Sequence, residues 1–168
     1  LDRFGVPPRG ARALVVGAGG AGVAISVPLA ERGVASLALY DLDPARSIGV
    51  AARIRAAWPT VPVSVVSSPD PAGHDLVVNA SPLGLKSGDP MPFDAGRVGP
   101  GAVVVDILMK NQPTPLLQAC ASRGARVFPG YEMMIQQAPD YLAFFGLHEL
   151  SRAVQEDPSE VRAFFNPR

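Results

Sequence analysis

The sequence predicts an α/β fold: a Rossmann, doubly wound, six-stranded parallel sheet of order 3-2-1-4-5-6. Three observations predict it. Short, almost wholly apolar runs recur (Ala13-Leu14-Val15-Val16, Leu76-Val77-Val78, Val103-Val104-Val105), as suits strands buried on both faces. Longer apolar segments opened by cap-type residues lie between such runs. Right-handed crossovers leave few topologies for that alternation.

The elements follow in order. Leu1 to Gly10 is the end of a linker, closed by the turn Pro7-Pro8-Arg9-Gly10, and residues 11–168 form one domain. Ala13 to Val16 is the first strand. Gly20 to Arg32 is a helix, with Pro28 expected to kink it and Gly33 to stop it. Ser36 to Tyr40 is the second strand. Asp43-Pro44 supplies an N-cap and a first-turn proline to a helix that Pro59 ends. Val61 to Val66 is the third strand, Leu76 to Asn79 the fourth and Val103 to Asp106 the fifth. Thr114-Pro115 opens a helix stopped by Gly124, and Arg126 to Phe128 is a short sixth strand. Tyr131 to about Phe145 reads as a helix interrupted by Pro139, and Pro158 to Phe165 as a last short helix.

Composition narrows the function classes. Fifteen Lys+Arg balance fifteen Asp+Glu, so no long-range field favours nucleic acid or an anionic membrane. Hydrophobic residues make up 48%, ample for a core and against disorder. The single cysteine, Cys120, excludes an internal disulfide or a multi-cysteine metal site. No apolar run reaches the ~18 residues of a membrane span. The expectation is a cytoplasmic protein with no metal site, no nucleic-acid partner and no membrane association.

The strongest local signal is Gly17-Ala18-Gly19-Gly20-Ala21-Gly22, a GxGxxG directly after a strand and opening a helix. Gly17 permits a tight turn, Gly19 lets a pyrophosphate approach the backbone, and Gly22 lets the helix pack closely on its strand. The helix N-terminus then offers free N–H groups and a positive dipole end to phosphates. The alternative is a purely structural turn. About twenty residues on, Asp41 ends the second strand, where a carboxylate binds ribose hydroxyls and repels a 2′-phosphate. That favours NAD, unless Asp41 is simply a solvated turn aspartate. Arg46 keeps NADP open, since an arginine there could pair with the 2′-phosphate; Leu42 supplies no charge. Asn79 is either a loop-capping asparagine or a cofactor contact, and Asp106 reads as structural. Gln137 is either a half-buried polar helix residue or a substrate contact. Met133 and Met134 read as packing, and His74 and His148 as isolated turn residues.

Four further blocks add a family resemblance: Asn79-Ala80-Ser81-Pro82-Leu83-Gly84-Leu85, Asp106, Thr114-Pro115-Leu116-Leu117, and Gly130 to Ala138. In order and spacing, with Val16 to Gly22, they resemble the cofactor half of the shikimate and quinate/shikimate dehydrogenases from about Gly10 to Gly146. The resemblance implies an NAD(P)-dependent oxidoreductase of the shikimate pathway and aromatic amino acid biosynthesis. Such an enzyme oxidises a ring hydroxyl of a cyclic hydroxy acid to a ketone, with hydride transfer to nicotinamide. It implies that Gly17 to Gly22 hold the pyrophosphate and that Asp41, Leu42 and Arg46 choose between cofactors. It places Asn79, Ala80, Ser81 and Leu83 beside the ribose and nicotinamide, and Ile107, Gly130 and Met133 near the nicotinamide. Met109 and Gln137 fall at substrate positions. The family usually has a tyrosine where Met109 stands, and methionine cannot supply its hydroxyl hydrogen bond.

In that family a Lys–Asp catalytic pair lies in an N-terminal domain. Neither Lys86 nor Lys110 matches the family lysine, so no catalytic residue is expected within this sequence, which begins at Leu1. The expectation is a fragment, inactive alone, whose partners are a small cyclic substrate and its own upstream domain; a homodimer stays open. Competing readings are a non-catalytic dinucleotide-sensing module and a divergent paralogue with another hydroxy-acid substrate. Methylene-tetrahydrofolate dehydrogenase and glutamyl-tRNA reductase are a third option, against which Thr114 to Leu117 and Gln137-Ala138 argue.

Overall fold

The computed structural model describes residues 6–86, 88–109 and 112–165. Lys110 and the first half of the lead-in lie outside the described residues. The strands are β1 (Arg12–Val16), β2 (Ser36–Tyr40), β3 (Val63–Val65), β4 (Leu76–Asn79), β5 (Val103–Asp106) and β6 (Arg126–Pro129). They form one six-stranded sheet of order β3-β2-β1-β4-β5-β6, parallel throughout, as the alternation predicts. The helices are α1 (Gly20–Glu31), α2 (Pro44–Ala57), α3 (Pro115–Ser122), α4 (Tyr131–Phe144), α5 (His148–Glu156) and α6 (Ser159–Phe165).

Side chains alternate across the sheet because successive strand residues face opposite sides. Ala13, Val15, Leu37, Leu39, Leu76 and Val78 pack with Leu29, Ala30, Val50 and Ile54 of α1 and α2. Leu14, Val16, Val77 and Val104 pack on the other face with Leu116, Leu117 and Cys120 of α3 and with Phe93 and Val98. Both layers are nearly free of solvent, and each buried Val, Leu, Ile or Phe contributes roughly 1.5–3 kcal/mol.

Two helix starts form as predicted. Asp43 accepts from the N–H of Ala45 at 3.1 Å, with Pro44 at the first position of α2. Buried Thr114 accepts from Leu117 N–H at 3.3 Å, with Pro115 opening α3.

Three expectations need correction, at the third strand, Pro139 and His148. The third strand is shorter than Val61–Val66, because Pro62 has no N–H and only its carbonyl joins the sheet, accepting from Leu37 N–H at 2.9 Å. Pro28 lies inside α1, which stays helical to Glu31, and Arg32 N–H bonds the Pro28 carbonyl at 3.0 Å. Pro139 does not interrupt α4, which runs from Tyr131 to Phe144. Pro139 is buried there, and its carbonyl accepts from Ser151 Oγ of α5 at 2.8 Å, so packing offsets the missing backbone bond. His148 is not in a turn; it is the first residue of α5, a helix absent from the sequence reading. Beyond these, Phe144, Phe145 and Phe164 of the last helices stand largely exposed. No helix among the described residues is long and apolar enough to cross a membrane.

The register positions everything that follows. Tyr40, Val16, Asn79, Asp106 and Pro129 stand opposite one another across β2, β1, β4, β5 and β6. The next residues, Asp41, Gly17, Ala80, Ile107 and Gly130, therefore leave the sheet side by side. Three backbone bonds carry the ladder into this row: Gly17 N–H to Tyr40 O (2.7 Å), Ala80 N–H to Val16 O (2.7 Å) and Ile107 N–H to Asn79 O (3.1 Å).

At the opposite end of the strands, Asp75 receives the backbone N–H of Arg12 at 2.9 Å and its guanidinium at 2.9 and 3.1 Å. The Arg12 guanidinium, with its backbone N–H, holds the Asp75 carboxyl at about 2. A carboxyl lowered by folding stabilises above the ordinary carboxylate range, and that contribution disappears as pH falls through its native value. Asp75→Asn is expected to flatten the loss of stability between about pH 4 and 2; urea unfolding at stepped pH checks it, and an unchanged acid limb refutes it. Burial pushes the Cys120 thiol up to about 11. Cys120 is therefore expected to resist iodoacetamide at pH 8 in the folded chain and to react readily in urea, as intact mass would report.

Candidate functional site

The β1–α1 turn is built by close contact. Gly17 has φ +104°, and a Cβ there would lie 2.7 Å from the Ala80 carbonyl and 2.8 Å from Ser81 N. A Cβ on Gly22 would stand 1.9 Å from Gly17 O, so only glycine lets α1 sit this close to its strand. Gly19 is different: a Cβ there would meet nothing within 4 Å. Its bare backbone faces open space, and Gly20 and Ala21 are exposed.

Gly19 occupies the N-cap of α1 with no side-chain cap, and the first turn holds no acidic residue. Side chains cap α2 and α3; at α1 the leading N–H groups remain directed at the open side. A helix start of this kind holds an anion by hydrogen bonds and dipole together.

Asp41 stands next to this turn. Its Oδ2 accepts from Ala18 N–H at 2.7 Å and its Oδ1 from Asp43 N–H at 2.9 Å. A carboxylate has about four acceptor directions, so two remain beside the turn. Leu42 is 78% exposed, and Arg46 reaches Asp43 at 3.5 Å.

On the other side of β1, Asn79 and Asp106 are buried at the ends of their strands. Asn79 Nδ2 donates to Asp106 Oδ1 at 3.0 Å and to Leu83 O at 3.4 Å. Asn79 Oδ1 accepts from Ser81 Oγ at 2.6 Å and from Ser81 N–H at 3.0 Å. Asp106 also accepts from Thr114 Oγ1 at 2.7 Å and Leu108 N–H at 3.3 Å. The Asn79 amide is thus fully engaged inside the protein, tying β4, β5 and the Ser81–Leu83 loop together. It acts on its surroundings through Ser81, which is half-buried. Thr114 was legible as a helix opener and as part of a family block; its bond to Asp106, eight residues back, closes the loop between β5 and α3 and is not encoded by helix or strand spacing.

A mostly apolar cleft of about 370 Å³ runs over β4, β5 and β6 between α1 and α4. Ile107, Gly130, Met133 and Gln137 all line it, so the structure brings these four predicted residues together. Gly130 is held against the carbonyls of Ile107 and Leu108. Ala24, Ile25, Pro28 and Leu29 form the α1 wall, which the sequence reading gave only as part of an apolar helix. The signal was α1's apolar residues on more than one face. Met109 is 40% exposed beyond Leu108, and it does not line the cleft. Neither does the glycine turn: the predicted residues form two neighbouring groups, divided at Ala80–Leu83. Among the described residues no group of three or more His, Cys, Asp or Glu is placed to hold a metal ion.

Sheet order and the glycine turn at the switch between β1 and β4 define a Rossmann-type domain. Known proteins make this more specific. The chain is 37% identical over 136 residues to the NADP(+) shikimate dehydrogenase of Rubrobacter xylanophilus, covering 79% of this chain and 48% of that protein. It is 35% identical over 166 residues to the NADP(+) shikimate dehydrogenase of Acidiphilium cryptum, covering 94% and 58%. The solved quinate dehydrogenase of Corynebacterium glutamicum, in complex with NAD, superposes with a TM-score of 0.76 at 31% identity, covering 90% of this chain and 57% of that one. No family model matches. The chain belongs to the shikimate/quinate dehydrogenase family, as its C-terminal, Rossmann-type domain. It spans about half the length of the curated relatives it matches.

Gly22→Ala is expected to lower stability by about 1–3 kcal/mol or to prevent folding, whereas Gly19→Ala should change it by less than about 0.5 kcal/mol. Urea titration followed by circular dichroism measures both. Equal effects would show that the turn is not packed as described.

Proposed function

We propose that this chain binds the dinucleotide for an NAD(P)-dependent dehydrogenase that interconverts a ring hydroxyl and a ketone on a shikimate- or quinate-like acid. The observation that carries the reading is the uncapped start of α1 beside the open backbone of Gly19, with the Asp41 carboxylate fixed next to it. A diphosphate fits the first, and the two hydroxyls of an adenosine ribose fit the second. The relatives, shikimate dehydrogenases named for NADP(+) and a quinate dehydrogenase in complex with NAD, support the same class.

In this reading Gly17 to Gly22 bind the pyrophosphate through Gly20 to Gly22 N–H groups. Asp41 orients the adenosine ribose. Ala80, Ser81, Leu83, Ile107, Gly130 and Met133 border the nicotinamide half, since they leave the sheet on the other side of β1. The nicotinamide supplies a hydride acceptor or donor when bound. Gln137 faces the substrate side of the cleft, and Met109 in place of the family's tyrosine favours a substrate held without that hydroxyl. Proton-transfer groups come from an upstream domain of the polypeptide.

NAD is the preferred cofactor. The Asp41 charge lies where a 2′-phosphate would sit, and Arg46 is turned to Asp43. Like charges a few ångströms apart repel strongly enough to give about tenfold discrimination or more. Calorimetric titration is expected to show NAD binding more tightly than NADP, with Asp41→Ser narrowing the gap. Equal affinities in the parent chain, or an unchanged ratio in the variant, would remove Asp41 from this role. No binding of either cofactor would overturn the whole reading.

A further inference from the structure

The chain from Thr114 to Ser81 has a direction. Thr114 Oγ1 donates to Asp106 Oδ2, and Asn79 Nδ2 donates to Asp106 Oδ1. A carboxylate accepts only, so the amide must present its nitrogen to Asp106 and its oxygen to the far side. That oxygen takes the Ser81 hydroxyl hydrogen at 2.6 Å. The Ser81 hydroxyl has one hydrogen and two lone pairs. With the hydrogen committed, and Leu83 N–H bonded to Oγ at 3.3 Å, one acceptor position is left.

We propose that Asp106 is a positioning residue: acting through Asn79, it makes Ser81 Oγ an obligate hydrogen-bond acceptor for a donor group on the nicotinamide-side half of the dinucleotide. Without the buried carboxylate the Asn79 nitrogen keeps only Leu83 O, at 3.4 Å, and the amide, held on its oxygen side by Ser81 N–H at 3.0 Å, loses the anchor that holds that oxygen on the Ser81 hydroxyl. Asp106 and Asn79 never touch the ligand. They fix which polarity of ligand group the exposed end of the relay accepts. Two groups of that half carry such a hydrogen, the carboxamide nitrogen and the ribose hydroxyls, and their shared chemistry is an N–H or O–H donor.

The inference rests on the dinucleotide reading, and one set of titrations separates the two. NADH, ADP-ribose and ADP are titrated into the parent chain, Ser81→Ala, Asp106→Ala and the double variant, with thermal melts recorded alongside. Asp106→Asn replaces Asp106→Ala if the latter does not fold. ADP affinity should stay unchanged in all of them. NADH affinity should fall roughly three- to tenfold in each single variant, the loss of one ordinary hydrogen bond. The double variant should be no weaker than the weaker single one, because both changes remove the same contact. ADP-ribose weakening in step with NADH identifies the ribose hydroxyl as the donor, and weakening of NADH alone identifies the carboxamide. Additive losses, an unchanged NADH affinity, or equal losses for NADH and ADP would overturn the proposal. Failure of the parent chain to bind any of the three would overturn the dinucleotide reading along with it.

Discussion

Five neighbouring strands end in register, and backbone hydrogen bonds carry that alignment one residue past the sheet. The site depends on this constraint more than on any single side chain. Parallel strands expose the same kind of end together, so residues far apart in sequence reach one edge by ladder geometry alone. Asp41, Gly17, Ala80, Ile107 and Gly130 are neighbours for that reason. The Asn79–Asp106 bond lies one layer beneath, joining the two central strand ends below the row.

Helix termini divide the electrostatic tasks. α2 and α3 close their leading N–H groups on Asp43 and Thr114, which fixes those helices to the fold. α1 starts on Gly19, with no side chain capping its leading N–H groups. Asp41 complements this arrangement. Its Oδ2 accepts from Ala18 N–H, just before α1, without occupying the helix start. The carboxylate thus ties the β1–α1 turn to the end of β2.

The sequence revealed what depends on local pattern. Apolar runs stopped by Gly17, Asn79 and Asp106 marked strands whose ends form the site, and Asp43-Pro44 and Thr114-Pro115 marked two helix starts. Proline misled at Pro139 because its cost is local and can be offset. Buried Pro139 stays inside α4, held against Ser151 of a helix that no periodicity had suggested. The Thr114–Asp106–Asn79–Ser81 relay was illegible for another reason: it joins residues 35 positions apart whose pairing exists only once β4 and β5 are side by side. The cleft was hidden too, because an apolar α1 residue looks the same whether it meets the core or an open wall.

The shared ending row also governs how such a domain can diverge. Removing one residue from within β4 or β5 would swap the faces of that strand and retract its contribution to the edge. Changing the length of a segment beyond the row disturbs neither. Variation in this architecture is therefore channelled into the segments that follow Ala80 and Ile107, where new binding preferences can arise while the scaffold beneath is inherited intact.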